Sequence, residues 1–102
     1  MADITATELN ERLKQGESLA MLDVRGQLEY NTFNIGGQNI PLPQLPAALD
    51  DLDWDKADEI IVLCKAGLRS GTAQHILQQN GYQNVKNLLG GLMALQKLNN
   101  TY

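Results

Sequence analysis

The sequence predicts an α/β fold in three layers, α/β/α, with helices on both faces of a central, mostly parallel sheet of five strands. Two apolar runs carry this reading. SLAMLDV at residues 18–24 and EIIVLC at 59–64 lack polar alternation, the pattern of strands covered on both faces. Segments with helical spacing lie between and after them. The third observation is length: 102 residues can bury one core and not two, so residues 1–102 are expected to form a single domain.

The elements follow in order. Thr5 is placed to cap a helix, Glu8 three residues later closes a capping box, and Ile4 can staple onto Leu9. Leu9 and Leu13 then share a face, and Gly16 ends the helix. After the first buried strand, QLEYNTF forms a short helix, IGGQNIPL a turn and a brief strand around Ile40, and PQLPAALDDL another helix opened by a proline. Pro41, Pro43 and Pro46 bar a long strand here. Ile60, Ile61 and Val62, all β-branched, strengthen the second buried strand. Residues 70–79 carry Ala73, Ile76 and Leu77 at helical spacing and stop at Asn80-Gly81. NVKNL is the candidate for a fifth short strand, Gly90-Gly91 a tight turn, and LMALQKL the final helix; the tail NNTY is expected to fray.

Composition excludes several classes of function. Eight basic residues against twelve acidic give a net charge of −4, which disfavours nucleic acid and anionic lipid as partners. No run reaches the roughly 18 apolar residues of a membrane span. The opening MADITATEL lacks the basic-then-apolar order of a secretory signal, so a cytoplasmic location is expected. One cysteine excludes an internal disulfide, and no CxxC pair or His/Cys cluster offers a zinc site.

That cysteine, Cys64, is the candidate nucleophile. A lone cysteine is ordinarily a small buried hydrophobe, but this one falls at the carboxyl end of a buried parallel strand, where open α/β sheets place their ligands. LCKAGLRSG then leads straight into a helix. A curl around the sulfur turns the N–H groups of Lys65, Ala66, Gly67, Leu68, Arg69 and Ser70 into an anion cradle, with Gly67 supplying the permissive φ. Such surroundings, with the charges of Lys65 and Arg69, should lower the thiol from about 8.5 toward roughly 3.5 to 7.5. Asp23 and Arg25 end the first buried strand on the same sheet edge and can hold the neighbouring loops. His75, off the face of Ile76 and Leu77, reads as a solvated surface residue, and Trp54 as a packing residue.

C-K-A-G-L-R-S resembles the active-site loop of rhodanese domains, in which a cysteine carries a persulfide through a sulfur-transfer cycle. LDVRGQLEY resembles the family's DVR motif followed by an acidic-aromatic pair, NIGGQNIPL its turn before the short strand, and NLLGGLMAL its double-glycine stretch. The matches keep the family's order from about residue 19 to 96. Asn34 and Gly36 stand where the family usually has His and Pro, and Leu95 where it tends to have Trp. The resemblance implies a rhodanese-like fold and a sulfurtransferase using Cys64. The donor would be thiosulfate or a persulfide, the acceptor cyanide, a small thiol or thioredoxin, and no metal or organic cofactor is implied.

Two alternatives are open. Cysteine-dependent phosphatases and arsenate reductases resemble one another in C-x5-R, whereas Cys64 to Arg69 is C-x4-R, a shorter ring that suits one sulfur atom better than a phosphoryl group. Leu63 also replaces the histidine common in those phosphatases. The other alternative is a non-catalytic interaction module or slow sulfur carrier on the same fold. Retention of Cys64 argues against it.

Overall fold

The computed structural model describes residues 3–99. Strands β1 (Ala20–Asp23), β2 (Gln38–Asn39), β3 (Glu59–Leu63) and β4 (Asn84–Asn87) form one parallel sheet in the order β2-β1-β3-β4. Among the described residues the sheet therefore has four strands and not the expected five. Ahead of the first helix, Ile4 makes a single parallel bridge to Leu88, the residue just after β4.

Around the sheet lie α1 (Ala6–Lys14), α2 (Gln27–Thr32), α3 (Leu45–Ala48), α4 (Leu68–Gln79) and α5 (Gly91–Asn99). The capping box of α1 is present: the Glu8 N–H donates to Thr5 Oγ1 at 3.1 Å and the Thr5 N–H to Glu8 Oε1 at 3.0 Å. Residues 43–52 do not make one helix. They break into a 3-10 turn at Leu42–Gln44, the single turn of α3, and a second 3-10 turn at Leu49–Asp51. Pro43 and Pro46 have no N–H to donate to a continuous ladder. The brief strand expected around Ile40 ends one residue earlier, and α4 starts at Leu68, two residues earlier than its apolar spacing suggests. Asn99 still belongs to α5; the rest of the expected frayed tail lies outside the described residues.

The core lies on both faces of the sheet, which is why its central strands show no polar alternation. On one face Leu22, Ile60 and Val62 pack with Leu45 of α3 and Ala73 and Leu77 of α4. On the other, Met21, Ile61 and Leu63 pack with Leu9 of α1 and Leu92 and Leu95 of α5. Ile4 joins the second cluster beside Leu9, as the staple requires. Each fully buried Leu or Ile contributes about 1.5 to 3 kcal/mol. Trp54 packs against the first cluster, and His75 is exposed. No helix among the described residues is long and apolar enough to cross a membrane.

This packing positions the site. β1 and β3 pair in register from Ala20 beside Ile60 to Asp23 beside Leu63, so both stop at one edge. Asp23 and Cys64 are thereby brought to the same end of the sheet.

Candidate active site

Cys64 follows the last residue of β3 and is buried, 1% exposed. Its Sγ accepts the Gly67 N–H at 3.0 Å and the Ser70 N–H at 3.4 Å, and lies 3.2 Å from Ser70 Oγ. Gly67 reaches this geometry with φ at 97°, in the region that favours glycine. Burial pushes the thiol up, but the Ser70 hydroxyl and the N–H groups of Ser70, Gly67 and Ala66 outweigh it and bring the thiol below its usual value. The thiolate is thus favoured by oriented dipoles at close range.

The loop is held by α5. The N–H groups of Leu92 and Met93, at the start of that helix, donate to the carbonyls of Cys64 and Lys65 at 2.9 and 3.0 Å. Gly91 lies so close that an added Cβ would sit 2.5 Å from the Lys65 carbonyl carbon and 2.6 Å from the Ala66 nitrogen. This contact explains the double glycine at 90 and 91: the second glycine lets two backbones touch.

Arg69 faces Glu29 of α2. Its Nη1 is 2.6 Å from Oε1 and its Nη2 3.0 Å from Oε2, a two-pronged ion pair that holds the Glu29 carboxyl at about 2. Arg69 is accordingly not the bare cation that its sequence position suggests. Lys65 is exposed and has no carboxylate within ion-pairing distance among the described residues. Ala66 and Leu68 lie exposed on the loop, Leu68 at 82%.

Asp23 and Arg25 are both buried and bond to each other, not to the sulfur. Arg25 Nη2 donates to Asp23 Oδ2 at 2.8 Å and to the Phe33 carbonyl at 2.7 Å, and Nη1 reaches the Glu29 carbonyl at 3.4 Å. The pair ties the end of β1 to α2, which in turn presents Glu29 to Arg69. A cavity of about 390 Å³ opens beside the loop, lined by Leu28, Phe33, Leu92 and Met93 with Arg25 and Lys65 at its polar side. No group of three His, Cys, Asp or Glu residues among those described could hold a metal ion.

Sequence reasoning singled out neither Glu29 by itself nor Asn87. Asn87 Oδ1 lies 2.5 Å from Ser70 Oγ, and Asn87 Nδ2 donates to the Gly67 carbonyl at 3.1 Å. The available signal was a polar residue closing a strand whose other inward position, Val85, is apolar. A buried amide of that kind must find partners.

The pattern of the Rhodanese-like domain family matches residues 5–98. A tRNA uridine(34) hydroxylase of Erwinia tasmaniensis is 33% identical over 97 residues; the match covers 90% of this chain but only 27% of the hydroxylase. A sulfurtransferase of Allochromatium vinosum is 29% identical, with 90% of this chain and 85% of that protein covered. A crystal structure of a rhodanese-like domain protein from Staphylococcus aureus superposes with a TM-score of 0.82 at 27% identity, covering 93% of this chain and 91% of the other.

Proposed function

The chain belongs to the rhodanese-like family, and from that premise we propose that it is a sulfurtransferase whose Cys64 carries sulfane sulfur as a persulfide. The observation that carries this reading is a buried sulfur facing two backbone N–H groups at 3.0 and 3.4 Å at the end of a parallel strand.

In the proposed cycle the Cys64 thiolate attacks the outer sulfur of thiosulfate. The S–S bond of the donor breaks, sulfite leaves with its electron pair, and a persulfide remains on Cys64. A nucleophile, cyanide or a thiol such as that of thioredoxin, then attacks the outer sulfur and releases the thiolate. A persulfidated partner could replace thiosulfate in the first step with the same electron count. The N–H groups of residues 65–70 serve the negative charge, Lys65 and Arg69 attract the anionic donor, and Asp23 and Arg25 fix α2 against the loop. A thiol that must stay reduced between turnovers fits the cytoplasm.

A phosphatase reading is disfavoured by the short ring and by Arg69, whose two prongs are occupied by Glu29. The test is intact mass after incubation with thiosulfate: a gain of about 32 Da, removed by reductant, supports the covalent step. An unchanged mass with the thiol free and accessible counts for the non-catalytic interaction module.

A further inference from the structure

Asn87 stands on β4, outside the cysteine loop, yet it contacts both sides of it. Its Nδ2 donates to the Gly67 carbonyl at 3.1 Å, which fixes the amide so that Oδ1 faces Ser70 Oγ at 2.5 Å. The backbone of Asn87 is pinned too. Its N–H donates to Asp3 Oδ1 at 3.1 Å, and its carbonyl accepts the Ile4 N–H at 3.1 Å. The amide therefore has little freedom to turn away.

Proton counting gives this arrangement its meaning. An amide oxygen only accepts, so the bond to Asn87 takes the one proton that the Ser70 hydroxyl has. The face of Ser70 Oγ toward Cys64, 3.2 Å away, is then a lone pair. A thiol can donate its S–H to that lone pair; a thiolate cannot. The help that the Ser70 hydroxyl gives the thiolate therefore requires it to swing off Asn87 and leave Oδ1 without its donor, so Asn87 reduces that help without cancelling it.

We propose that Asn87 is a positioning residue that acts on Cys64 through Ser70, holding the hydroxyl proton away from the sulfur and so opposing the resting thiolate. The inference rests on Cys64 being the sulfur carrier. Once sulfur is loaded, negative charge moves to the outer sulfur atom, Sγ no longer needs that donor, and the hydroxyl returns to Asn87. The amide thus favours the loaded form over the bare thiolate and keeps the latter more reactive.

The charged groups near the thiol are Lys65 and Arg69 on its loop, Glu29 through Arg69, the Asp23–Arg25 pair ending β1, and Asp3 behind Asn87. None of them changes in the test, which titrates the thiolate by ultraviolet absorption; the single cysteine makes the signal unambiguous. Asn87→Leu should lower the midpoint by about one pH unit, a tenfold change in the ionisation constant. In a Ser70→Ala background the same substitution should shift it by less than about a third of that. An equal shift in both backgrounds overturns the proposal, because the effect then runs through the Gly67 carbonyl. An unmoved or raised midpoint in Asn87→Leu alone also overturns it. Should Asn87→Leu fail to fold, the S–H stretch in the infrared decides. It should lie at lower frequency in the wild type than in Ser70→Ala, and equal frequencies refute the S–H to Ser70 bond. These readings concern the proton on Cys64 and are independent of whether thiosulfate loads it.

Discussion

Arg69 and Glu29, forty residues apart in sequence, form a two-pronged ion pair that joins the cysteine loop to α2. The pair leaves Arg69 partly neutralised, which bears on its proposed role in attracting an anionic donor.

If Arg69 acts by charge, the two partners have opposite effects. Arg69→Ala should raise the apparent thiosulfate KM. Glu29→Gln removes the opposing charge and should lower it, by roughly two- to fivefold at low salt for charges near a protein surface. Both changes should shrink as salt rises, since exposed charges are screened. Steady-state kinetics at two ionic strengths decides the matter; a raised KM in Glu29→Gln shows that orientation of the loop, not charge, is what the pair supplies.

Gly91 gives a steric prediction. In Gly91→Ala the new Cβ meets the Lys65 carbonyl group and the Ala66 nitrogen, both backbone, at a φ of 65°. Neither neighbour can move without moving the cradle. The substitution should cost about 2 to 4 kcal/mol and slow thiosulfate loading at least about tenfold. Gly81→Asn is the control: φ is 92°, but the nearest atoms belong to the flexible Lys56 side chain, so about 1 kcal/mol and unchanged loading are expected. Urea unfolding and loading rates on both variants provide the comparison, and equal behaviour would refute the close-contact argument.

The parts of the fold that were legible in sequence are those specified locally. Ile60, Ile61 and Val62 announce a strand by their own shape, Thr5 and Glu8 cap by spacing, and Gly67 marks the curl beside Cys64. The missed features depend on distant partners. Ile4 reads in sequence only as a staple onto Leu9, and its bridge to Leu88 depends on a segment more than eighty residues away. Lys65 and Arg69 look equivalent in CKAGLR, yet only Arg69 meets a carboxylate, because α2 turns Glu29 toward it. Asn87 reads as one more strand residue until the sheet places it beside Ser70. Residues 43–52 differ for another reason: a proline can open a helix, but Pro43 and Pro46 give no N–H to a continuous ladder and the segment breaks into short turns.

Cys64→Ser separates chemistry from packing. The hydroxyl replaces the thiol at nearly equal size in a site that already supplies two N–H donors and the Ser70 hydroxyl, so the variant should fold. It should gain no mass from thiosulfate and transfer no sulfur to cyanide. Wild-type turnover in this variant would be incompatible with a cysteine persulfide, as the chain has no second cysteine.

Glu59 sets a pH dependence of stability away from the site. At the start of β3 its carboxylate accepts from Arg12 Nη1 and Nη2 at 2.9 and 2.6 Å and from Lys86 Nζ at 2.6 Å, tying α1 and β4 to the central strand. The Arg12 hydrogen bonds, ahead of those from Lys86 and against partial burial, bring its carboxyl from 4.5 to about 2. A depressed carboxyl stabilises the fold fully above its unfolded value and loses that contribution as pH falls through the folded one. The window is therefore about 4.5 down to about 2. Glu59→Gln should cost about 1 to 2 kcal/mol at pH 7, less than the full displacement implies because the carboxylate is partly exposed to solvent. As pH falls through the window the two proteins should converge, because the wild-type carboxyl becomes protonated and resembles the amide. Urea unfolding of both proteins between pH 7 and pH 3 measures the difference. A gap that stays constant down to pH 3 would mean that the substitution acts through packing and not through charge.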